Sequence, residues 1–387
     1  MNATGDFTEP EGKAGTRKRV VLLGGGHAHV EVVRRLGTLG APVQVILVSP
    51  SRYAPYSGML PGYIAGRYLF EDFNIDLQAL CERSGIAFRD GTAIGIDPKA
   101  RRVRLSDGSW LDYDLLSLDT GSTPSLPKGV SGGVSVKPIA SFTERLVQLD
   151  LLAGSVQHPL HLAVIGQGVA GIEVAFALKR RLVSLMPPDV RASGGVSIHL
   201  VGRSTRLLPE RSEFARKMAA KALSDHDIAH YPAFDVVGLE HKMLVAGDGR
   251  RLAVDEVVWT TSSGAPAWLR QTGLALDAGG FVRVDAGLRS LSHPDIFAAG
   301  DVAALAQPRP KAGVFAVRAG PVLAENIRRT LFGKKLKRFR PQRAWLALIS
   351  LADGRTIADK WGFAVAGRWI TAWKHWTDAR FIRRYRT

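Results

Sequence analysis

At 387 residues, 46% apolar and with 41 glycines, the chain is long enough for two or three domains and has the composition of a globular α/β protein rich in tight turns. No stretch approaches the roughly 20 consecutive apolar residues of a membrane-spanning helix. The single cysteine, Cys81, excludes an intramolecular disulfide and with it any mechanism built on a redox-active cysteine pair. Most of the +17 net charge is at one end: from Arg328 to Thr387 sixteen Lys or Arg stand against three Asp, beside five of the eight Trp. An anionic, partly apolar partner suits such a surface.

In chain order, residues 1–18 lack an apolar run and read as a mobile tail, not a signal peptide. Val20 to Leu23 then predict a strand, Gly24-Gly25-Gly26 a turn, and Val32, Val33 and Leu36 a following helix. Cys81 reads as a small apolar filler in a helix around Leu77 to Cys81. Asp107-Gly108 predicts an antiparallel hairpin, and Leu115 to Leu118 an apolar strand that ends in a polar turn closed by Gly121.

The whole order then recurs. Leu162 to Ile165 run into Gly166-Gln167-Gly168-Val169-Ala170-Gly171 and a helix through Val174 and Leu178; Asp248-Gly249 and the strand closed by Gly264 follow. The glycine turns, the Asp-Gly pairs and the closing glycines repeat at offsets of 142, 141 and 143 residues, so the two halves share one fold. Each half is the strand, glycine loop and helix of a dinucleotide fold. The first glycine permits the sharp turn, the second admits a pyrophosphate, and the helix N-terminus aims N–H groups at that anion. Two such sites imply two nucleotides, held side by side as a redox pair.

On these motifs and on Asp295-Ile-Phe-Ala-Ala-Gly300-Asp301, residues 19–345 resemble the two-dinucleotide-binding-domain flavoproteins, and among them the relatives of type II NADH:quinone oxidoreductases. The Gly-Gly-Gly-His-Ala-His start, Ser49 to Pro61 and Arg309 to Ala316 look closer still to the flavoprotein module sometimes fused to selenide, water dikinase. The resemblance implies an α/β chain of two Rossmann-like (FAD/NAD(P)-binding) domains with three-layer ββα architecture and a short C-terminal basic, aromatic segment. Its expected divisions are a tail, 1–18; an FAD-binding domain, 19–125 with 265–340; an NAD(P)H-binding domain, 126–264; and an amphipathic membrane-surface segment, 341–387.

Carried over to this sequence, the resemblance puts FAD in the first site, against Gly24, Gly26, Gly121, Gly300 and Asp301. NADPH or NADH occupies the second, against Gly166, Gly168, Gly171 and Gly264. His29 replaces the third glycine of the first fingerprint, and Ser49 replaces the acid expected after the second strand, so Ser49 or Arg52 is left to hold the adenosine ribose. His27 and His29 read equally as phosphate-balancing imidazoles or as packing residues. Arg203, with Arg206, stands where NAD-selective sites place a carboxylate, which points to NADPH or to weak discrimination. The catalytic candidates are Glu173, beside the nicotinamide and the flavin, and Lys311, which with the amides of Phe315 and Ala316 would stabilise the reduced flavin. Tyr53, Pro55 and Tyr56 are expected near the isoalloxazine, and no metal is expected.

Without a sulfur relay, a quinone or another small acceptor has to take the electrons directly. Trp369, Ile370, Trp373 and Trp376, with Lys374 and the arginines near the terminus, read as an interfacial helix on an anionic membrane. The expectation is therefore a cytoplasmic enzyme, peripheral on the inner face of the cell membrane, with a homodimer compatible and no nucleic-acid partner. The rivals are a soluble reductase for a protein or selenium-metabolism acceptor, and a redox-responsive protein whose basic tail holds nucleic acid.

Overall fold

Two five-stranded parallel sheets carry the architecture of this computed structural model, which describes residues 17–37, 43–127, 129–261 and 263–386. The first sheet runs in the order Ile296–Ala298, Leu115–Leu118, Lys18–Leu23, Val43–Ser49, Ala87–Asp90. The second repeats it with Val134–Ser135, Glu256–Trp259, Leu160–Ile165, Val196–Val201, Ile228–Tyr231. Strands covered on both faces have no polar side to alternate with. Val20, Val21, Leu22 and Leu23 are accordingly all fully buried. Of the expected tail, residues 1–16 lie outside the described residues, and Lys18 already belongs to the first strand.

Each half adds a three-stranded antiparallel sheet: Ala93–Asp97, Arg102–Leu105, Trp110–Asp112, and Val236–Glu240, Met243–Ala246, Arg251–Ala253. Gly108 and Gly249 turn the matching hairpins with φ of 86° and 88°, a conformation that glycine adopts without strain. The two chain crossings between the halves run side by side, Thr123–Pro124 pairing antiparallel with Ser263–Gly264. In the first half the His27–Leu36 helix packs on the Gly313–Leu331 helix. They approach tightly at Gly320, where a Cβ would stand 2.8 Å from that of Glu31.

The C-terminal segment departs from expectation. It is a meander, Ala347–Ser350, Thr356–Lys360, Phe363–Gly367, followed by the helix Arg368–Arg386, and Ile349, Ile357 and Ile370 are fully buried. Two residues assigned to the membrane-facing stripe belong to the core. Ile370 packs inward, and Lys374 donates to Gly58 O (2.6 Å) and pairs with buried Asp378 (2.8 Å). The cause is helical spacing: residues 370, 374, 378 and 382 form one stripe, while Trp369, Trp373 and Trp376 form another, exposed by 67, 41 and 53%. Tyr385 anchors the helix end, its hydroxyl donating to Glu31 in the first half (2.9 Å). Among the described residues no helix is long and apolar enough to cross a membrane.

Candidate dinucleotide and acceptor sites

Three segments far apart in sequence build the first cradle. Gly24 leaves the strand with φ 90°, and a Cβ there would stand 2.5 Å from Asp119 O. At Gly26 a Cβ would meet the Asp119 carboxylate at 2.3 Å, and at Gly300 (φ 65°) it would stand 2.2 Å from Asp119 Oδ1 and 3.5 Å from Ala316 Cβ. The amides of Ala28 and His29, in the first turn of the helix, donate to Asp119 Oδ2 at 2.8 and 2.9 Å. Burial, opposed by the two amides and helped by the Asp301 carboxylate, raises this carboxyl to about 7. Asp301 itself accepts from Lys137 (2.7 Å) and Ser122 (3.2 Å). Neither Asp119 nor Lys137 stood out in the sequence.

The two histidines are placed differently. His29 is a packing residue, its ring bridging Gly24 O (2.7 Å) and Ser117 Oγ (2.8 Å). His27 is edge-on to Tyr56, and its Nε2 is buried without a partner. Burial holds both rings down to about 4, so both are neutral at physiological pH. Gly313, opening the next helix, lies beside His27, a Cβ there standing 4.0 Å from Cε1. A helix N-terminus behind a glycine floor, an orphaned imidazole nitrogen and a second helix N-terminus together fit the pyrophosphate and ring of FAD.

Other candidates are engaged elsewhere. Arg52 forks onto Asp76 (2.6 to 3.1 Å), and Ser49 Oγ donates to Ser51 O (2.9 Å) beneath Gly25. Lys311 donates to Ala303 O (2.7 Å) over the Phe281 ring (3.8 Å), burial lowering its pKa. Pro55 lies in a short strand beside Asn74, Phe315 is buried edge-on to Trp345, and Gly121 takes φ 70° where the first half ends. Tyr53 is exposed, edge-on to Phe70.

The second cradle is more open. A Cβ at Gly166 (φ 123°) would stand 2.5 Å from Thr260 Oγ1, and one at Gly171 only 1.6 Å from Gly166 O, so helix and strand touch there. Around Gly168 nothing lies within 4 Å of a would-be Cβ, leaving room for a phosphate. Gln167 donates to Ser204 O (2.5 Å) and accepts from His230 (2.6 Å), pinning the loop that carries exposed Arg203 and Arg206.

Glu173, in the second turn of the Val169–Leu185 helix, faces the C-terminal segment. Its Oε1 accepts from Ser350 N (2.9 Å); enclosure lifts its pKa to about 7, against the pull of Lys374 and Ser350. Lys374 acts on Glu173 through its charge and pairs with Asp378, Asp378 accepts from the Tyr56 hydroxyl, and Tyr56 stacks on Phe381 (4.4 Å) and touches His27. A run of charged and polar side chains thus extends from Glu173 of the second half to the first cradle. Beside it a cavity of about 240 Å³ is lined by Arg67, Tyr68, Arg180, Ser350, Lys374 and His375, among others. Tyr68 is hydrogen-bonded to His375 Nδ1, and His375 Nε2 is buried without a partner.

Two phosphate cradles with a run of charged and polar side chains between them define a redox protein that works on two dinucleotides. The chain belongs to the pyridine nucleotide-disulphide oxidoreductase family, whose profile matches residues 18–320. It is an oxidoreductase of the kind that uses FAD with a nicotinamide nucleotide. It is 29% identical to an NADH dehydrogenase-like protein of Mycobacterium tuberculosis over 297 residues, 74% of this chain and 73% of that one. It is 25% identical to the type II NADH:quinone oxidoreductase of Staphylococcus epidermidis, covering 95% of both chains. The fold superposes on NDH2 of Plasmodium falciparum in complex with NADH with a TM-score of 0.79 at 14% identity, covering 95% of this chain and 97% of that one. The sulfide:quinone oxidoreductase of Aquifex aeolicus gives 0.79 at 18% identity, covering 95 and 91%. The disulphide of the family name has no counterpart here: Cys81 is buried and its thiol is pushed up to about 12.

Proposed function

We propose that the chain moves electrons from NAD(P)H, bound by the half that carries Gly166, Gly168 and Gly171, to FAD in the half that carries Gly24 and Gly26, and on to a quinone at an anionic membrane surface. One observation carries this reading: the C-terminal helix exposes Trp369, Trp373 and Trp376 on one stripe and delivers Lys374 and Asp378 toward Glu173 on another. Aromatic rings with cations over them suit the interface of an anionic leaflet. Lys360 lies 3.7 Å over Trp361 and Arg380 5.4 Å over Trp376.

FAD, when bound, accepts a hydride from the nicotinamide and releases its electrons to the acceptor. The protein's part is to position and to manage protons. Reducing a quinone to a quinol consumes one proton more than a hydride brings, so a protein group has to supply it. Glu173, with a pKa of about 7, exchanges a proton readily at neutral pH, and the Lys374 ammonium favours its release. The Lys374–Asp378 pair supports Tyr56 beside His27 and so keeps the acceptor cavity in register with the first cradle. Arg203 and Arg206, with no acid at the strand end to answer them, favour the 2′-phosphate of NADPH or leave the two nucleotides weakly discriminated.

Rapid mixing tests the acceptor. Protein reduced anaerobically by NAD(P)H is expected to regain its oxidised spectrum within milliseconds to seconds of meeting a short-chain quinone. A spectrum that stays reduced with quinone while oxygen restores it contradicts the reading. Cosedimentation with anionic vesicles tests the surface. The full chain with Trp369, Trp373 and Trp376 changed to Ser should lose most of its binding, and equal binding by both proteins removes the membrane from the account.

A further inference from the structure

The duplicated fold supplies an internal comparison. Asp119 and Thr260 stand at matching places, each just past the strand that neighbours the central one and beside its glycine turn. Thr260 Oγ1 is neutral and donates to Ile165 O (2.9 Å) and Gly166 O (3.3 Å). Asp119 is an acid, 3% exposed, accepting from the helix-terminal amides of Ala28 and His29 and pressed between Gly26 and Gly300. Those groups form the wall of the cradle that receives the dinucleotide, so the carboxyl borders the place where an anionic pyrophosphate has to sit.

The surroundings decide what form the carboxyl takes. From the helix side it meets the backbone amides of Ala28 and His29; the His29 ring, kept neutral by burial, is already bound to Gly24 O and Ser117, and the nearby His27 ring is kept neutral by burial too. From the loop side it meets Asp301, another carboxylate, whose own partner is Lys137. Among the described residues no cation is paired with Asp119. Two anions in contact inside a buried site repel strongly, and the proton is the cheapest neutraliser available.

We propose that Asp119 holds the dinucleotide as a neutral acid, its carboxylate side still accepting from Ala28 and His29 while its O–H donates to the pyrophosphate, so that FAD binding takes up one proton. The proton comes from solvent onto Asp119 and returns when FAD leaves; no bond to carbon or phosphorus changes. The proposal rests on FAD occupying the first cradle. Burial and Asp301 already raise the Asp119 pKa to about 7, and an adjacent phosphate raises it further.

The test uses the full-length protein equilibrated with FAD from roughly pH 6 to roughly pH 9, with flavin fluorescence reporting free cofactor and calorimetry in buffers of different ionisation enthalpy counting protons. The wild-type dissociation constant is expected to rise by up to about tenfold per pH unit on the alkaline side, with uptake of about one proton there. Asp119→Asn, whose amide donates at every pH, should give a flatter curve and bind FAD at least about tenfold tighter than wild type at the alkaline end. Equal slopes for the two proteins, or binding without proton uptake, overturn the proposal. Because proton uptake is read on the unaltered chain, the outcome does not depend on the variant folding. A protein that takes up no FAD at any pH overturns the cofactor assignment itself, and this proposal with it.

Discussion

The two halves place a helix against the first glycine of a turn by different means. In the second half Gly171 lets the helix backbone approach until a Cβ would lie 1.6 Å from Gly166 O. In the first half His29 occupies the matching position and reaches the matching carbonyl, Gly24 O, through its ring at 2.7 Å. A hydrogen bond replaces backbone contact, which is why the third glycine of this fingerprint is dispensable. The neighbouring positions differ in the same sense. Asp119 fills the first cradle from below, whereas around Gly168 the second is empty to 4 Å. A site built up with buried polar groups suits a cofactor that stays, and an open one suits a substrate that exchanges at every turnover.

The largest effect expected from breaking this contrast is at Gly171. Gly171→Val drives the helix off the strand and should slow NAD(P)H-driven bleaching of the flavin by roughly a hundredfold or more, while the protein stays yellow and dithionite still reduces it. Loss of flavin from this variant would mean that the halves are not separable as described. Glu173→Gln should come next, with quinone turnover down by at least about tenfold and the change in rate near pH 7 gone, while bleaching by NAD(P)H is retained. An unchanged pH–rate profile would remove Glu173 from proton delivery. Arg203→Asp should shift the NADPH to NADH ratio of kcat/KM toward NADH by about tenfold; no shift would leave Arg203 a solvated surface charge.

The smallest effect is on stability and has a defined sign. The Asp119 pKa is raised from 3.8 to about 7 in the folded chain, so its contribution is fully present below pH 4 and is lost as pH rises through about 7. In the flavin-free protein Asp119→Asn should therefore raise the Tm less near pH 5 than near pH 8.5, where the gain is about 2 °C or more. An equal shift at both pH values would point to packing in place of titration.

The repeat was legible in the sequence because strand, glycine turn and Asp-Gly hairpin are local signals, and local signals survive duplication at offsets of 141 to 143 residues. What the sequence concealed depends on segments that meet only in the fold. Asp119 lies within the Leu115–Gly121 stretch and reads as a turn residue until the helix 90 positions earlier closes on it. Lys137 and Asp76 are ordinary charges until Asp301 and Arg52 arrive beside them. The tryptophan stripe of the last helix was visible from its spacing, but the same spacing permits a second stripe. Ile370 and Lys374 were drawn into the wrong one because periodicity gives the faces of a helix without saying which face packs.

The proposed function requires a nicotinamide ring brought against a flavin by two unlike cradles. An anaerobic absorption titration of the purified full-length protein tests it most directly. It predicts a flavin band with about one FAD per chain that bleaches on addition of about one equivalent of NADPH or NADH. A colourless protein that takes up no added FAD, or a bound flavin that neither nucleotide reduces, would contradict it.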